Sequence, residues 1–349
     1  MISLTYHADL NEVQGDKDLA GWLSAPAGAP FDRLDWWAGL QAHCAMRPVL
    51  AVARNGAGAL ALPLAQGQGE LTALANWYTF RVAPVVSGTP DRAALLQALA
   101  RDLARRTGRI TLTHVPDEDG SASAIAAGFR GAGWLVRMVV DDTNHILHLR
   151  GRDYATYLAA RPGPLRTTLK RKAKKVACTI HTAFSDAAWA EYEAVYAQSW
   201  KPEEGAMAFL RDFARAEGAA GRLRLGLAHA LDGTQEGVAP GTPLAAQLWS
   251  VEGGTAFIHK LAYVESAKPV SPGTSLSAAL FAHVIDGDGV TMVDFGTGDD
   301  PYKRDWMEEQ RPRYRLEMVR LDQPGQWPRL AVHCARSWAK RLVGAKQQG

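Results

Sequence analysis

Three cysteines, Cys44, Cys178 and Cys334, are all that 349 residues carry. They are widely separated and lack the paired spacing of metal sites, so neither a disulfide framework nor a thiolate metal centre is expected. Long apolar runs are also missing: no window approaches about 18 uninterrupted apolar residues. The N-terminus, MISLTYHADL, has neither the basic start nor the apolar core of a secretory signal. The expectation is a cytoplasmic chain that touches the inner membrane peripherally at most. No charge sign dominates either. A net charge of +3, with acids and bases mixed through most of the chain, does not argue for nucleic acid. A Gly-x-Ser-x-Gly elbow is absent and no convincing Cys/His pair stands out, so no nucleophile motif is read here.

What is present is enough for two cores. The length exceeds the roughly 250–300 residues at which one core stops growing, and 47% of residues are apolar. Residues 1–150 read as an α/β unit. Asn55-Gly56 turns a hairpin between apolar runs, a strand is expected over 71–77, and helical spacing covers 92–106 and 122–132. Residues 134–141 and 144–149 look like two strands. Then comes RPGPLRTTLKRKAKK, residues 161–175, with seven basic residues and no acid. Helices over 187–200 and 209–217, paired strands over 222–231 and 244–251, and a strand over 311–320 follow. A last helix is expected from Pro328, with Trp338 among basic residues. The second half repeats the order of the first, so a degenerate duplication is the simplest account. The division expected is 1–150 and 151–349.

The most informative stretch is 256–306. An apolar run rich in β-formers leads to Ser271-Pro272-Gly273-Thr274-Ser275, then a helical pattern through Ile285, then a strand from Val290 to Phe295. A helix starting in that loop aims bare backbone N–H groups and its positive dipole end forward, which suits phosphate.

The ordered series Lys260-Leu261-Ala262-Tyr263, Ser271 to Thr274, Asp294-Phe295, Gly298-Asp299 and Tyr302-Lys303-x-x-Trp306 resembles the C-terminal half of GNAT-superfamily proteins. It is most similar to the double-domain, Fem-like and cellulose-biosynthesis-associated acetyltransferase-like branch. The resemblance implies two tandem GNAT-like domains, α/β (α+β), each a mixed twisted sheet flanked by helices. The first would be degenerate and supporting. It also implies acyl-CoA as co-substrate, held by Ser271, Gly273, Thr274 and Ser275, and no permanent cofactor or metal. The usual Gly-x-Gly/Ala loop pattern is reduced here to Gly273 among small polar residues.

Candidate residues have paired readings. Alternation along the strand before the loop puts Phe257, His259 and Leu261 on one face and Lys260 on the other. His259 reads as a general base or as a hydrogen-bonded core histidine. Asp294, at a carboxyl strand end, reads as a base, as the partner of His259, or as a cap for the following loop. By the resemblance, Tyr302 protonates or hydrogen-bonds the leaving sulfur. Lys303 reads as a phosphate contact or as a partner of Asp299. Lys260, Tyr263, Trp77, Tyr78 and Trp200 are candidates for binding the acceptor. The run 161–175 reads as a solvated face or as a surface for an anionic partner, whether membrane phospholipid, coenzyme phosphate or tRNA.

The leading expectation is an acyl-CoA-dependent N-acyltransferase. Its acceptor would be a primary amine of a large or lipidic molecule, such as a sphingoid base (a ceramide-type product) or an envelope amino sugar. Two rivals stand beside it: a Fem-like transferase using aminoacyl-tRNA, and a non-catalytic envelope-assembly protein of the same fold.

Overall fold

The computed structural model describes residues 1–25, 28–201 and 203–320; the helix expected from Pro328 lies outside them. The first part runs β1 (Ser3–His7), α1 (Leu10–Gly15), α2 (Lys17–Ser24), α3 (Leu34–His43), β2 (Pro48–Asn55), β3 (Gly58–Gln66), β4 (Leu71–Ala73), β5 (Val85–Gly88), α4 (Arg92–Leu103), β6 (Arg109–Val115), α5 (Ser121–Gly131) and β7 (Leu135–His148). The rest runs α6 (Tyr154–Ala159), α7 (Gly163–Lys172), β8 (Val176–His181), α8 (Asp186–Ala197), α9 (Met207–Ala219), β9 (Leu223–Ala230), β10 (Pro243–Glu252), β11 (Thr255–Tyr263), α10 (Pro272–Ala282), β12 (Met292–Thr297), α11 (Lys303–Trp306) and β13 (Glu309–Val319). It is a mixed α/β architecture, as expected: a large twisted mixed sheet with helices on its faces.

Among the described residues the strands form one sheet, ordered β1-β2-β3-β4-β6-β13-β7-β12-β11-β10-β9-β8, with β5 on β3. The hairpin at Asn55-Gly56 forms as read. Asn55 Oδ1 accepts from the N–H groups of Ala57 and Gly58 at 2.9 and 3.1 Å. Two readings need correction. The expected strand over 71–77 stops at Ala73, because residues 76–79 close a turn in which Thr79 N–H donates to Asn76 O. The two strands expected over 134–149 are one strand, β7. Their polar interruption is a set of cross-strand partners: Arg315 pairs with Asp141 at 2.6 Å and Asn144 is fully buried. β7 is long because it serves both parts of the sheet, pairing with β13 through most of its length and with β12 at its end.

Two apolar cores result. One lies among α4, α5 and the strands they cover, and takes in Leu316 and Met318 from β13. The other runs from Leu10 and Trp37 of the N-terminal helices to Trp189, Tyr192 and Phe281 of the later ones. Trp36 of α3 meets Phe209 and Phe213 of α9 edge-on, at 5.0 and 5.1 Å.

Buried ion pairs reinforce this junction. Arg33, 2% exposed, reaches Glu217 at 2.7 Å and Glu252 at 3.2 Å, and Arg222 holds Glu217 from outside. Asp32 beside it is 4% exposed and meets Arg81 at 3.2 Å. Burial pushes the Asp32 carboxyl up to about 6 against the pull of Arg81, with Asp119 and Glu252 adding to the rise. The folded chain therefore holds a proton there that the unfolded chain has lost, between about pH 4 and 6. That contribution to stability, of order 2–3 kcal/mol, is complete below about pH 4 and is lost as pH rises through about 6. Asp32→Asn is expected to flatten this decline in urea unfolding across pH 4–7. Equal slopes for the two proteins would rule out Asp32 as its source.

Candidate active site

The loop before α10 is built to stay open. Ser271 adopts a left-handed backbone (φ 52°, ψ 51°), Pro272 fills the first helical position where an N–H has no partner anyway, and no side chain caps the helix. The bare N–H groups of Gly273 and Thr274 end the helix beside a cavity of about 340 Å³. Leu165, Trp200, Leu261, Tyr263, Phe295, Tyr302 and Trp306 give it largely apolar walls. Gly273 sits where a β-carbon would come within 3.2 Å of the Tyr263 ring. Gln247 of β10 fixes the loop from below, donating to Gly273 O at 3.1 Å and to Ser277 Oγ at 2.8 Å.

Positive charge is added from two directions. Lys172, from the basic run, donates to Ser271 Oγ at 3.1 Å, and Lys268 lines the cavity. Arg166, Lys170, Arg171, Lys174 and Lys175 remain exposed beside it. Ser275 turns inward, 5% exposed.

The cavity adjoins the place where the sheet parts. β11 and β12 pair in parallel only from Thr255/Met292 to Phe257/Asp294. Beyond that they diverge, leaving Leu261 and Phe295 on opposite walls of the cavity. A bulge in β11 then decides what faces where. Leu248 pairs with Lys260 but Trp249 pairs with Ile258, so His259 is the extra residue. Gln247 and Trp249 face α10, the latter through Phe281 at 5.2 Å. Leu261 and Ile258, paired to them, share that face. His259 and Lys260 both point to the opposite face, contrary to strict alternation.

On that face the His259 ring lies among Phe31, Trp36, Phe80, Phe213 and Phe257, with centroids 4.8 to 6.4 Å away. Its Nε2 meets Ser250 Oγ at 2.8 Å. Burial pushes its pKa down to about 3, so the imidazole is neutral. Lys260 pairs with Glu204 at 2.8 Å, its ammonium lying 4.4 Å over the Tyr78 ring and 5.7 Å from that of Trp77. Tyr78 Oη also donates to Glu204. Lys201, next to Trp200, is pushed down to about 8 by burial and by the Lys260 ammonium.

The remaining candidates lie nearer β12. Asp294, 2% exposed, accepts from Asn144 at 2.7 Å, Gly296 N–H at 2.8 Å and Arg311 at 2.7 Å. Tyr302 lines the cavity and meets Phe295 edge-on at 5.7 Å. Burial raises its hydroxyl to about 12, so it is a proton-bearing donor. Lys303 is buried, donating to the carbonyls of Gly298, at 3.1 Å, and Thr297.

Ser271, Gly273, Thr274, Tyr263, Trp200 and Tyr302 thus share one cavity. Lys260, Trp77, Tyr78 and His259 gather on the other face. Glu204, Lys201 and Gln247 were not singled out from sequence. Gln247 had a signal, a lone polar residue in an apolar strand; Glu204 and Lys201 had none, standing in a short polar loop. Among the described residues, no group of three or more His, Cys, Asp or Glu is arranged to hold a metal, and no helix is long and apolar enough to cross a membrane.

A divergent parallel strand pair, with an open helix end behind it, defines a GNAT-type transferase fold. Residues 164–304 match the family model of the acetyltransferase (GNAT) domain. In fold, the chain is similar to FemX (TM-score 0.59, 11% identity, 93% of this chain and 99% of that one). It is likewise similar to L-PGS from Bacillus licheniformis (0.58, 14%, 95% and 97%). A tandem GNAT protein from the clavulanic acid biosynthesis pathway also matches (0.50, 18%, 90% and 98%). No curated protein sequence matches the chain. Residues 164–304 thus match a GNAT domain, and over nearly its whole length the chain shares the fold of the Fem-like and tandem GNAT proteins that its motifs resemble.

Proposed function

We propose that the protein is a cytoplasmic acyl-CoA-dependent N-acyltransferase that forms an amide on a primary amine of a large or lipidic acceptor, such as a sphingoid base or an envelope amino sugar. Residues 151–349 form the acting half and 1–150 the supporting half. The observation that carries this reading is the uncapped end of α10, with Lys172 and Lys268 beside it, opening on a mostly apolar cavity. Backbone donors, a helix dipole and two ammonium groups suit a diphosphate. The apolar walls suit the thioester arm and acyl chain.

In this reading Gly273 and Thr274 hold the diphosphate, with Ser271 and Ser275 shaping their loop. The acceptor enters from the face bearing Lys260, Trp77 and Tyr78, and its nitrogen attacks the thioester carbonyl through the gap between β11 and β12. A carbon–nitrogen bond forms and the carbon–sulfur bond breaks. Tyr302 donates a hydrogen bond to the departing sulfur. Lys201, with a pKa near working pH, takes the amine's proton. His259 stays neutral and shapes the acceptor face, while Asp294 and Lys303 fix the end of β12 from within.

Release of free thiol from acyl-CoA in the presence of a long-chain primary amine tests the reading. Lys201→Arg, which cannot give up its proton near pH 8, is expected to lower kcat on the order of 100-fold and to remove the rise in rate through about pH 8. An unchanged pH profile would exclude Lys201 as the base. The exposed cations of α7 favour an anionic partner as well, either a peripheral membrane contact or, as a second reading, an aminoacyl-tRNA donor. Turnover with aminoacyl-tRNA and none with acyl-CoA would establish the latter.

A further inference from the structure

The structure assigns a binding site for a primary ammonium group to Glu204, Tyr78 and Trp77, a site that the chain's own Lys260 occupies. This rests on the transfer reading above and names the part of the acceptor that is recognised.

Glu204 is the centre. Its side chain is 3% exposed, and a buried carboxylate persists only with a cation or several donors beside it. Lys260 supplies the cation at 2.8 Å. Tyr78 donates its hydroxyl to the other oxygen. The Lys260 ammonium also lies over the face of Tyr78 at 4.4 Å and near that of Trp77 at 5.7 Å. A carboxylate at one end and aromatic faces around it are the parts from which ammonium receptors are made.

The arrangement is open on the substrate side. Trp77 is 64% exposed, so one wall of the cage stands in solvent. Lys260 sits on a flexible four-carbon stem and its side chain is 17% exposed, so its ammonium has a short path to water. The bulge at His259 turns Lys260 to this face and sets it beside the gap between β11 and β12. An incoming alkylammonium that displaces Lys260 inherits the Glu204 ion pair and both rings. Its carbon chain runs past Trp77; on leaving Glu204 it sheds one proton to water to become the attacking amine, and the second passes to Lys201 as the amide forms. A neutral alcohol or a carboxylate of the same length gains nothing from Glu204.

The experiment uses the full chain, with octylammonium chloride as probe and 1-octanol as its neutral counterpart, in titration calorimetry. Octylammonium is expected to bind and octanol to bind at least about tenfold more weakly, the difference a desolvated ion pair supplies. Glu204→Gln is expected to erase the preference while leaving coenzyme A affinity unchanged. Lys260→Met removes the resident cation without touching the carboxylate, and is expected to tighten octylammonium binding about tenfold. Equal affinity for the two probes, a preference that survives Glu204→Gln, or no tightening in Lys260→Met would overturn the assignment. Failure of coenzyme A to bind while the ammonium preference holds would instead count against the donor, so the two readings fail separately.

Discussion

Thr274→Asp is expected to raise the KM for acyl-CoA by roughly 200-fold while leaving Tm unchanged or slightly higher. Thr274 lies in the first turn of α10 and lines the cavity. A carboxylate there stands where the diphosphate would accept from Gly273 and Thr274. At about 5 Å, in a partly screened site, repulsion between two such charges is about 3 kcal/mol, which corresponds to roughly 200-fold in affinity. The same carboxylate suits the positive end of the helix, so the fold does not suffer. Stability and donor binding therefore move apart, which a merely damaged protein cannot imitate. Thr274→Asn, of equal size and uncharged, is expected to stay within about fivefold of the parent, because only the charge is at issue. Steady-state kinetics with a thermal melt of each variant checks this; an unaltered KM in Thr274→Asp would place the donor elsewhere.

The second large effect concerns stability. Arg313 of β13 has no exposed surface and holds three separate pieces of the chain. It donates to Phe80 O at 3.1 Å, to Glu118 at 3.1 Å and to Asn144 Oδ1 at 2.9 Å. Arg313→Met keeps most of the volume and removes every one of these bonds. Glu118 and Asn144 keep Arg311, at 3.0 and 2.6 Å, so the loss falls at the lower end of that for a broken buried pair, about 3 kcal/mol. Tm is expected to fall by roughly 4 °C. The acceptor face should loosen as well, since the Phe80 ring packs against Gly296 and stacks on His259 at 5.7 Å. Denaturant unfolding measures the first effect, and a loss of less than about 1 kcal/mol would show that Arg311 alone carries the junction.

What was legible in the sequence was local. Ser271 to Ser275 announced a helix start because proline, glycine and small polar residues act on their own backbone, and the apolar strands around them needed no distant partner to be read. Asn55-Gly56 was legible for the same reason. What failed depended on neighbours far along the chain. The polar residues between the strands expected over 134–141 and 144–149 continue one strand because Arg311, Arg313 and Arg315 lie alongside them on β13. The facing of His259 and Lys260 follows from the bulge where β11 pairs with β10, which no alternation within β11 encodes. Glu204 and Lys201 acquire meaning only when Lys260 and Tyr78 are folded against them.

β13 has a consequence for how the protein is made. It lies between β6 and β7 and bonds to both, although Leu316 and its partner Leu112 are roughly two hundred residues apart. As the chain leaves the ribosome, β6 and β7 emerge early with facing edges that nothing yet covers. Unsatisfied strand edges invite pairing with other chains. The early part must therefore wait, incompletely assembled, until nearly all of the later domain has been synthesised. Shortening the chain before Glu309 would leave that gap permanently open and favour aggregation of the nascent protein.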